Sequence, residues 1–354
     1  MKILISGVCG FVGSTLARVL RDDDTEIIGF DNLSRPGSQL NLEPLRKRGI
    51  KVRHADVRSH SDLESFSSVD WIIDAAANPS VLAGIDGTTS SRQLIEHNLF
   101  GTVNLLELAK RQQAGFILIS TSRVYSVKAL SEIPVVAEDE AFAPETDVAL
   151  PDGASAQGIT EKFSTAPPLS LYGASKLASE NVALEYGEAF DFPVWINRCG
   201  VLAGAGQFGH AEQGIFSFWI NACLRRRPLR YIGFDGAGHQ ARDCFHPQDL
   251  VPLLRKQFAA GRSTKPRVVN LGGGLNNTMS LAQLTRWCAA RFGAHEIQSD
   301  SKPRPFDVPW LVMDSQLARD TWGWQPALSL EEILQEIAQH AEAHPDWLEI
   351  SATL

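Results

Sequence analysis

The chain reads as an α/β protein, a Rossmann-type doubly wound parallel sheet followed by a smaller C-terminal substrate-binding lobe. Three observations predict this. Short apolar, β-rich runs alternate with helical patterns through the first half of the chain, the arrangement that a parallel sheet covered on both faces requires. Gly7, Gly10 and Gly13 follow the first such run directly and open the first helical pattern. An acidic residue, Asp31, closes the second run 24 positions after Gly7, the combination expected of a dinucleotide-binding βαβ unit.

The elements follow in order. Lys2–Ser6 is the first strand; its apolar stretch and single Lys superficially suggest a leader peptide, but the spaced glycines and the charged helical pattern behind it read as strand, turn and helix. Ser14–Leu20 is the first helix, Glu26–Phe30 the second strand, Asn41–Lys47 a helix, Lys51–His54 the third strand, Asp62–Ser67 a helix and Trp71–Asp74 the fourth strand. Leu94–Ala109 has apolar residues at helical spacing, and Phe116–Ser120 is the fifth strand. Pro193–Asn197 and Val268–Leu271 are expected as sixth and seventh. Residues 127–168, rich in Pro, Asp, Glu and Ser, form a long excursion with little periodicity, which in a compact domain is usually functional. The expected division is residues 1–200 for the cofactor domain, with returns at about 240–272, and 201–239 plus 273–354 for the second lobe. The basic run Arg225, Arg226, Arg227 and Arg230 is read as a solvated helix end.

Composition narrows the function. The formal net charge of -8 argues against a nucleic-acid partner. The five cysteines form no CxxC, so they are read as reduced thiols in a cytoplasmic protein. The nine histidines are dispersed and no metal is expected. No apolar run approaches the ~20 residues of a membrane span.

The cofactor expectation is NAD. Gly7 permits the tight turn, Gly10 lets backbone N–H groups approach a pyrophosphate, and Gly13 lets the helix pack on the sheet; Phe11 and Val12 lie within the same turn. Asp31 can accept from a ribose diol and would repel a 2′-phosphate, with Asn32 and Arg35 close by. Asp56 and Val57 end the third strand, where adenine would lie, and Ala75, Ala76 and Ala77 leave room after the fourth. Tyr172 and Lys176 are spaced to share one helix face, where a nearby ammonium would stabilise a tyrosinate acting as general base. An isolated YxxxK is more often a packed Tyr and a solvated Lys. Ser122, in ISTSRVYS at the carboxyl edge of the sheet, favours the catalytic reading, with Ser120 and Thr121 as neighbours that cover backbone groups or touch the cofactor.

With GVCGFVG, DNLSR, HNLFGTVNLLE, STSRVYS and YGASK in this order, the chain resembles the extended short-chain dehydrogenase/reductase superfamily, in its nucleotide-sugar epimerase/dehydratase branch. The resemblance implies Ser122, Tyr172 and Lys176 as the catalytic set and a supporting role for Asn98 beside the cofactor. It also places Arg123, Asn197, Arg242 in GHQARDCFHPQDL and Arg304 in KPRPFDVPWLVMD at a nucleoside-diphosphate sugar, and implies a homodimer through a helical face. Dehydratases of the branch carry a Thr-Asp-Glu run where this chain reads Ser122-Arg123-Val124, and decarboxylases carry Glu at Arg123, so an epimerase is favoured. Residues 152–176, 203–220 and NLGGGLNNTMSL at 270–281 resemble the CDP-paratose 2-epimerase group, implying chemistry at C2 of a CDP-sugar. Arg123, Asn78-Pro79-Ser80 and Ser126 depart from that group's pattern, and the loop 83–98 offers Thr88, Thr89 or Ser90 to the sugar. The alternatives are a nucleotide-sugar oxidoreductase that releases NADH, a dehydratase or decarboxylase, and a non-enzymatic cofactor-binding protein. The intact catalytic set argues against the last.

Overall fold

The computed structural model describes residues 1–85, 87, 90–145, 147–210 and 213–352. Seven parallel strands form the central sheet: β1 (Lys2–Ser6), β2 (Glu26–Asp31), β3 (Lys51–His54), β4 (Trp71–Asp74), β5 (Gly115–Thr121), β6 (Val194–Cys199) and β7 (Val268–Leu271), in the order β7-β6-β5-β4-β1-β2-β3. The order reverses between β1 and β4, so the connections leaving the carboxyl ends of these two paired strands part and open a crevice.

Helices cover both faces of the sheet, among them α1 (Phe11–Leu20), α2 (Gly101–Gln112), α3 (Leu171–Ala189) and α4 (Leu250–Ala260). Leu16 and Leu20 of α1 and Leu253, Leu254 and Phe258 of α4 pack on one face with Ile3, Ile5 and Trp195. Leu105, Leu106 and Leu108 of α2 and Ala183 of α3 pack on the other with Leu4, Ile72 and Phe116. Because both faces of the inner strands are buried, these read as largely apolar runs, and this is why their positions were legible; the edge strand β3, KVRH, is mostly exposed. One turn between Ser91–Ile95 and α2 is wider, a π turn at Glu96–Phe100. Such turns concentrate at functional sites.

The second lobe is built from α5 (Ile215–Leu224), α6 (Leu281–Phe292) and α7 (Leu330–Ala343), which share a core around Trp219, Leu284 and Ile337. Two parts of the expected division need correction. Ala241–Phe245, placed with the cofactor domain, pairs instead with Val201–Leu202, Thr278–Ser280 and Trp310–Leu311 in a small sheet of its own. Conversely, the helix Gln316–Trp322, placed in the lobe, returns to the cofactor half: Trp322 meets Trp195 edge to face at 5.0 Å, and Trp324 packs on Phe245. The excursion at 127–168 contains two antiparallel hairpins, Val135–Glu138 with Ala141–Pro144 and Ala154–Ser155 with Gly158–Ile159. Ile159 and Phe163 anchor it to Trp310 and Met313.

Asp243 is 1 % exposed inside this interleaved region and accepts from Gly274 N at 3.2 Å. A Cβ on Gly272 would stand 2.1 Å from its carboxylate, and one on Gly273 would stand 2.0 Å from the Cys244 carbonyl oxygen. The glycine triplet is therefore a cradle for a buried acid.

Candidate active site

A cleft of about 880 Å3 runs from the glycine turn, past the carboxyl ends of β4 and β5, into the second lobe. Its cofactor end is shaped by absent side chains. Gly7 has φ +64, and a Cβ there would lie 2.9 Å from Ala76 Cα; a Cβ on Gly13 would lie 2.2 Å from the Gly7 carbonyl oxygen. Gly7, Gly10, Phe11, Val12, Gly13, Asp31, Asn32, Arg35, Val57, Ala75, Ala76 and Ala77 all line the cleft.

Asp31 is held by two backbone donors, Cys9 N at 2.9 Å and Leu33 N at 2.8 Å. Burial pushes its carboxyl up, and these N–H groups oppose that shift. The bare turn at the start of α1 and the fixed carboxylate on the cleft wall fit a dinucleotide without a 2′-phosphate. Arg35 does not complement such a phosphate, because its guanidinium donates to Gln213 Oε1 at 2.9 Å and to the Phe208 carbonyl oxygen in the second lobe.

Several expected contacts are corrected by the packing. Asp56 does not line the cleft: Arg58 binds it at 2.7 Å and Asn32 donates to it at 3.1 Å. The Arg58 hydrogen bond holds its carboxyl far below the ordinary range, and its effect on the cleft runs through Asn32. Asn98 is also set back and 1 % exposed. It accepts from Asn78 N at 2.8 Å and donates to the Asn78 carbonyl at 3.0 Å and to Ser175 Oγ at 3.1 Å. It thereby ties the loop after β4 to α3. Ser120 lines the cleft, yet its hydroxyl donates to Glu180. Asn197, expected at substrate, is fully buried and forms a reciprocal amide pair with Gln257 of α4 at 3.0 and 2.9 Å. The alternation of β6 turns its side chain into the sheet–helix core while Arg198 faces the opposite side. Thr88 lies outside the described residues.

Two buried anions organise the sheet edge, and neither is signalled by a local motif. Asp74 accepts from Ser6 Oγ at 2.8 Å and from Thr102 Oγ1 at 2.7 Å, and Ser6 Oγ in turn accepts from Ala75 N and Ala76 N at 3.0 Å. Glu180 binds Arg198 at 2.6 Å, with both side chains at most 9 % exposed. Arg198 also donates to Tyr125 Oη at 3.3 Å. Such a pair fixes geometry more than it adds stability.

At the reaction end, Ser170 caps α3 by accepting from Gly173 N at 3.0 Å. Tyr172 and Lys176 follow one turn apart, 8 % and 2 % exposed. Burial raises the phenol above its ordinary value, while the Thr121 hydroxyl and the Arg123 guanidinium pull it back. The hydroxyl that acts on the Tyr172 phenol is that of Thr121, at the end of β5, one residue before the expected Ser122; both residues line the cleft. Burial lowers Lys176, and Asp74 and then Glu180 oppose it.

In the second lobe, Arg242 donates to Asp307 Oδ1 at 3.0 Å and to the Val308 carbonyl at 2.6 Å, and burial lowers it to about 10. Arg123, Arg242 and Arg304 line the cleft, as do Phe216, Phe218 and Trp219. Three arginines and a set of aromatic side chains lining one cleft suit a diphosphate joined to a flat base. Among the described residues no group of three His, Cys, Asp or Glu side chains is arranged to hold a metal ion, and no helix is long and apolar enough to cross a membrane.

Comparison with known proteins agrees with this geometry. Residues 3–272 match the model of the NAD dependent epimerase/dehydratase family. A CDP-paratose 2-epimerase of Salmonella typhi is 26% identical over 345 residues, covering 95% of this chain and 98% of that protein. A probable dTDP-glucose 4,6-dehydratase of Sinorhizobium fredii is 28% identical over 338 residues, covering 92% and 88%. A crystal structure of UDP-glucose 4-epimerase from Bifidobacterium longum, in complex with NAD+ and UDP, superposes with a TM-score of 0.79 at 20% identity, covering 98% of this chain and all of that one.

Proposed function

The chain belongs to the NAD dependent epimerase/dehydratase family, and we propose that within it the protein epimerises a nucleoside-diphosphate sugar through a transient keto sugar, at C2 of a CDP-hexose, with its NAD retained between turnovers. The observation that carries the epimerase reading is the composition of the turn beside Tyr172. Placed on Thr121, the hydroxyl that meets the phenol, the run reads Thr121-Ser122-Arg123. It supplies no carboxylate to expel water, and moving the register by one residue from the expected Ser122 leaves that conclusion unchanged.

NAD is the cofactor. The Gly7–Gly13 turn would hold its diphosphate and Asp31 its adenosine ribose; when bound, it accepts and returns the hydride that such an interconversion needs. The chain's own residues move the proton. Tyr172 takes it from the sugar hydroxyl and later gives it back, and Thr121 hydrogen-bonds the same oxygen and keeps it in line with the phenol. Lys176 lies buried one turn along α3, where burial lowers it and Asp74 and Glu180 oppose that shift. Arg242 and Arg304 bind the diphosphate, and the aromatic wall around Trp219 takes the base. The match over nearly the whole length of the CDP-paratose 2-epimerase supports the C2 assignment.

The test is to incubate the protein as isolated, with no added NAD, with CDP-, UDP- and dTDP-hexoses in D2O and to follow the sugar by NMR and mass. The expected product is an epimer of unchanged mass, formed with CDP-hexoses, with no NADH in solution. Loss of water from the sugar, loss of carbon dioxide, or stoichiometric NADH release would each overturn the epimerase reading, and an epimer at another carbon would overturn C2.

A further inference from the structure

We propose that Phe306 is a substrate-contacting residue, whose ring packs on the hexose of the nucleotide sugar and raises affinity for it. This rests on the reading of the cleft as a nucleotide-sugar site, and it adds a contact with the sugar itself beside the arginines assigned to the diphosphate.

Phe306 is the third residue of a turn, Arg304–Asp307, closed by Asp307 N donating to the Arg304 carbonyl oxygen at 3.3 Å. Pro305 takes the second place, and Phe306 has φ 58, a conformation for which glycine is the ordinary occupant of that place. An L side chain there costs free energy that some other contact must offset. Three large apolar side chains of the described residues sit at positive φ: Leu33, Phe234 and Phe306. Two find that contact within the protein. Leu33 packs against the core on one face of the sheet, and Phe234 meets Phe142 at 5.6 Å. Phe306 is only partly buried, joins none of the apolar clusters and makes no ring contact among the described residues.

The turn is nevertheless gripped from both ends. Arg242 donates to Asp307 Oδ1 at 3.0 Å and to the Val308 carbonyl at 2.6 Å. Gln240 donates to Asp307 Oδ2 at 3.0 Å and to the Ile232 carbonyl at 2.8 Å. On the other side, Arg123 donates to the Phe306 carbonyl at 3.3 Å. Arg123 belongs to the short turn Ser122–Val124 directly after Thr121, and its own carbonyl oxygen rests on the first turn of α3, where a Cβ on Gly173 would stand 2.1 Å away. Phe306 is thereby strung between Arg242 and Arg304, which bind the diphosphate, and the turn that adjoins Tyr172. Arg304, Pro305, Phe306 and Asp307 line the cleft together with Arg123 and Tyr172. A ring kept in a costly backbone conformation, with no packing partner in the protein, takes its partner from what fills the cleft. Between the diphosphate and the reacting hydroxyl that partner is the hexose, whose C–H groups offer apolar surface to an aromatic face.

The experiment titrates the holoprotein with CDP and with CDP-glucose by calorimetry, in wild type, Phe306→Gly, Phe306→Asn and Phe306→Tyr, beside chemical denaturation of each. Glycine and asparagine both tolerate the left-handed conformation, so each removes the ring without disturbing the turn, and the second stands in should the first not fold. Both should unfold at denaturant concentrations close to that of wild type, since no packing is lost. Their affinity for CDP should stay within about 2-fold of wild type while that for CDP-glucose falls by about 10-fold, the loss of one aromatic contact; Phe306→Tyr should keep it. Marked destabilisation of both variants would make the ring structural, an equal loss for CDP and CDP-glucose would put it at the nucleotide, and an unchanged affinity for CDP-glucose would remove it from the ligand; each overturns the proposal. Binding without turnover is read, so loss of the epimerase reading leaves the result standing. Should wild type take another nucleotide, the same comparison is made with that diphosphate and its glucose ester.

Discussion

Thr121 and Ser122 are neighbouring hydroxyls at one edge of the cleft, and the first is the one that acts on the Tyr172 phenol. Replacing Tyr172 with Phe should leave fold and bound NAD intact and lower turnover by roughly 10²–10⁴-fold, checked by progress curves beside the nucleotide spectrum of the purified protein. Thr121→Val should cost about 10²-fold in kcat, whereas Ser122→Ala should cost far less; equal losses would return the role to Ser122. Asp243 gives a prediction in pH. Burial lifts its carboxyl to about 7 from 3.8. With a raised folded value, the native state binds the proton more tightly than the unfolded chain, so this group makes stability fall as pH rises from about 4 to about 7 and stay lower above. The melting temperature of wild type should fall across that window more than that of Asp243→Asn, and parallel slopes would refute the assignment. At this scale the sequence was only partly legible. The YxxxK spacing exposed Tyr172, but Asp74, Glu180 and Arg198 look like ordinary charged residues until folding brings together partners 18 to 73 positions apart. Asn197 misled because its place at a strand end says nothing about which way the pleat turns it.

Among the elements, the segments that form the cradle and the crossing loop carry the most information. Gly272→Ala would drive a methyl into the Asp243 carboxylate, and overpacking of this kind costs about 1–3 kcal/mol; chemical denaturation of the variant measures it. Phe208 and Gln213 of the second lobe meet the loop after β2, where Arg35 donates to both, and Phe208 stacks on Trp347 at 5.1 Å. Arg35→Ala should therefore speed loss of NAD on dialysis without changing the preference for NAD over NADP, because Asp31 is untouched. The inner strands were legible because burial on both faces makes them largely apolar, whereas β3, KVRH, is an exposed edge. The excursion at 127–168 was not, since its hairpin strands are two to four residues long and depend on contacts with Trp310 and Met313 far along the chain.

Across the whole molecule, the cofactor sheet and the second lobe are threaded through one another. Trp322 is 5 % exposed against Trp195, and Trp324 donates its indole N–H to the Asp249 carbonyl at 2.7 Å. Trp322→Ala should destabilise the protein by roughly 3–5 kcal/mol, and global unfolding should report it although the substitution lies more than a hundred residues beyond β6. The sequence suggested that later segments alternate between sheet and lobe, but not which ones, because a Trp-rich segment carries no mark of the surface it will cover. The returning helix has a consequence for anyone building with this scaffold. A cut after β7 would discard the indoles that close the floor of the sheet, so the nucleotide-binding half is not a portable module. A chimera that exchanges the sugar-recognising parts needs a junction on each side of residues 316–324, leaving that stretch with its original sheet.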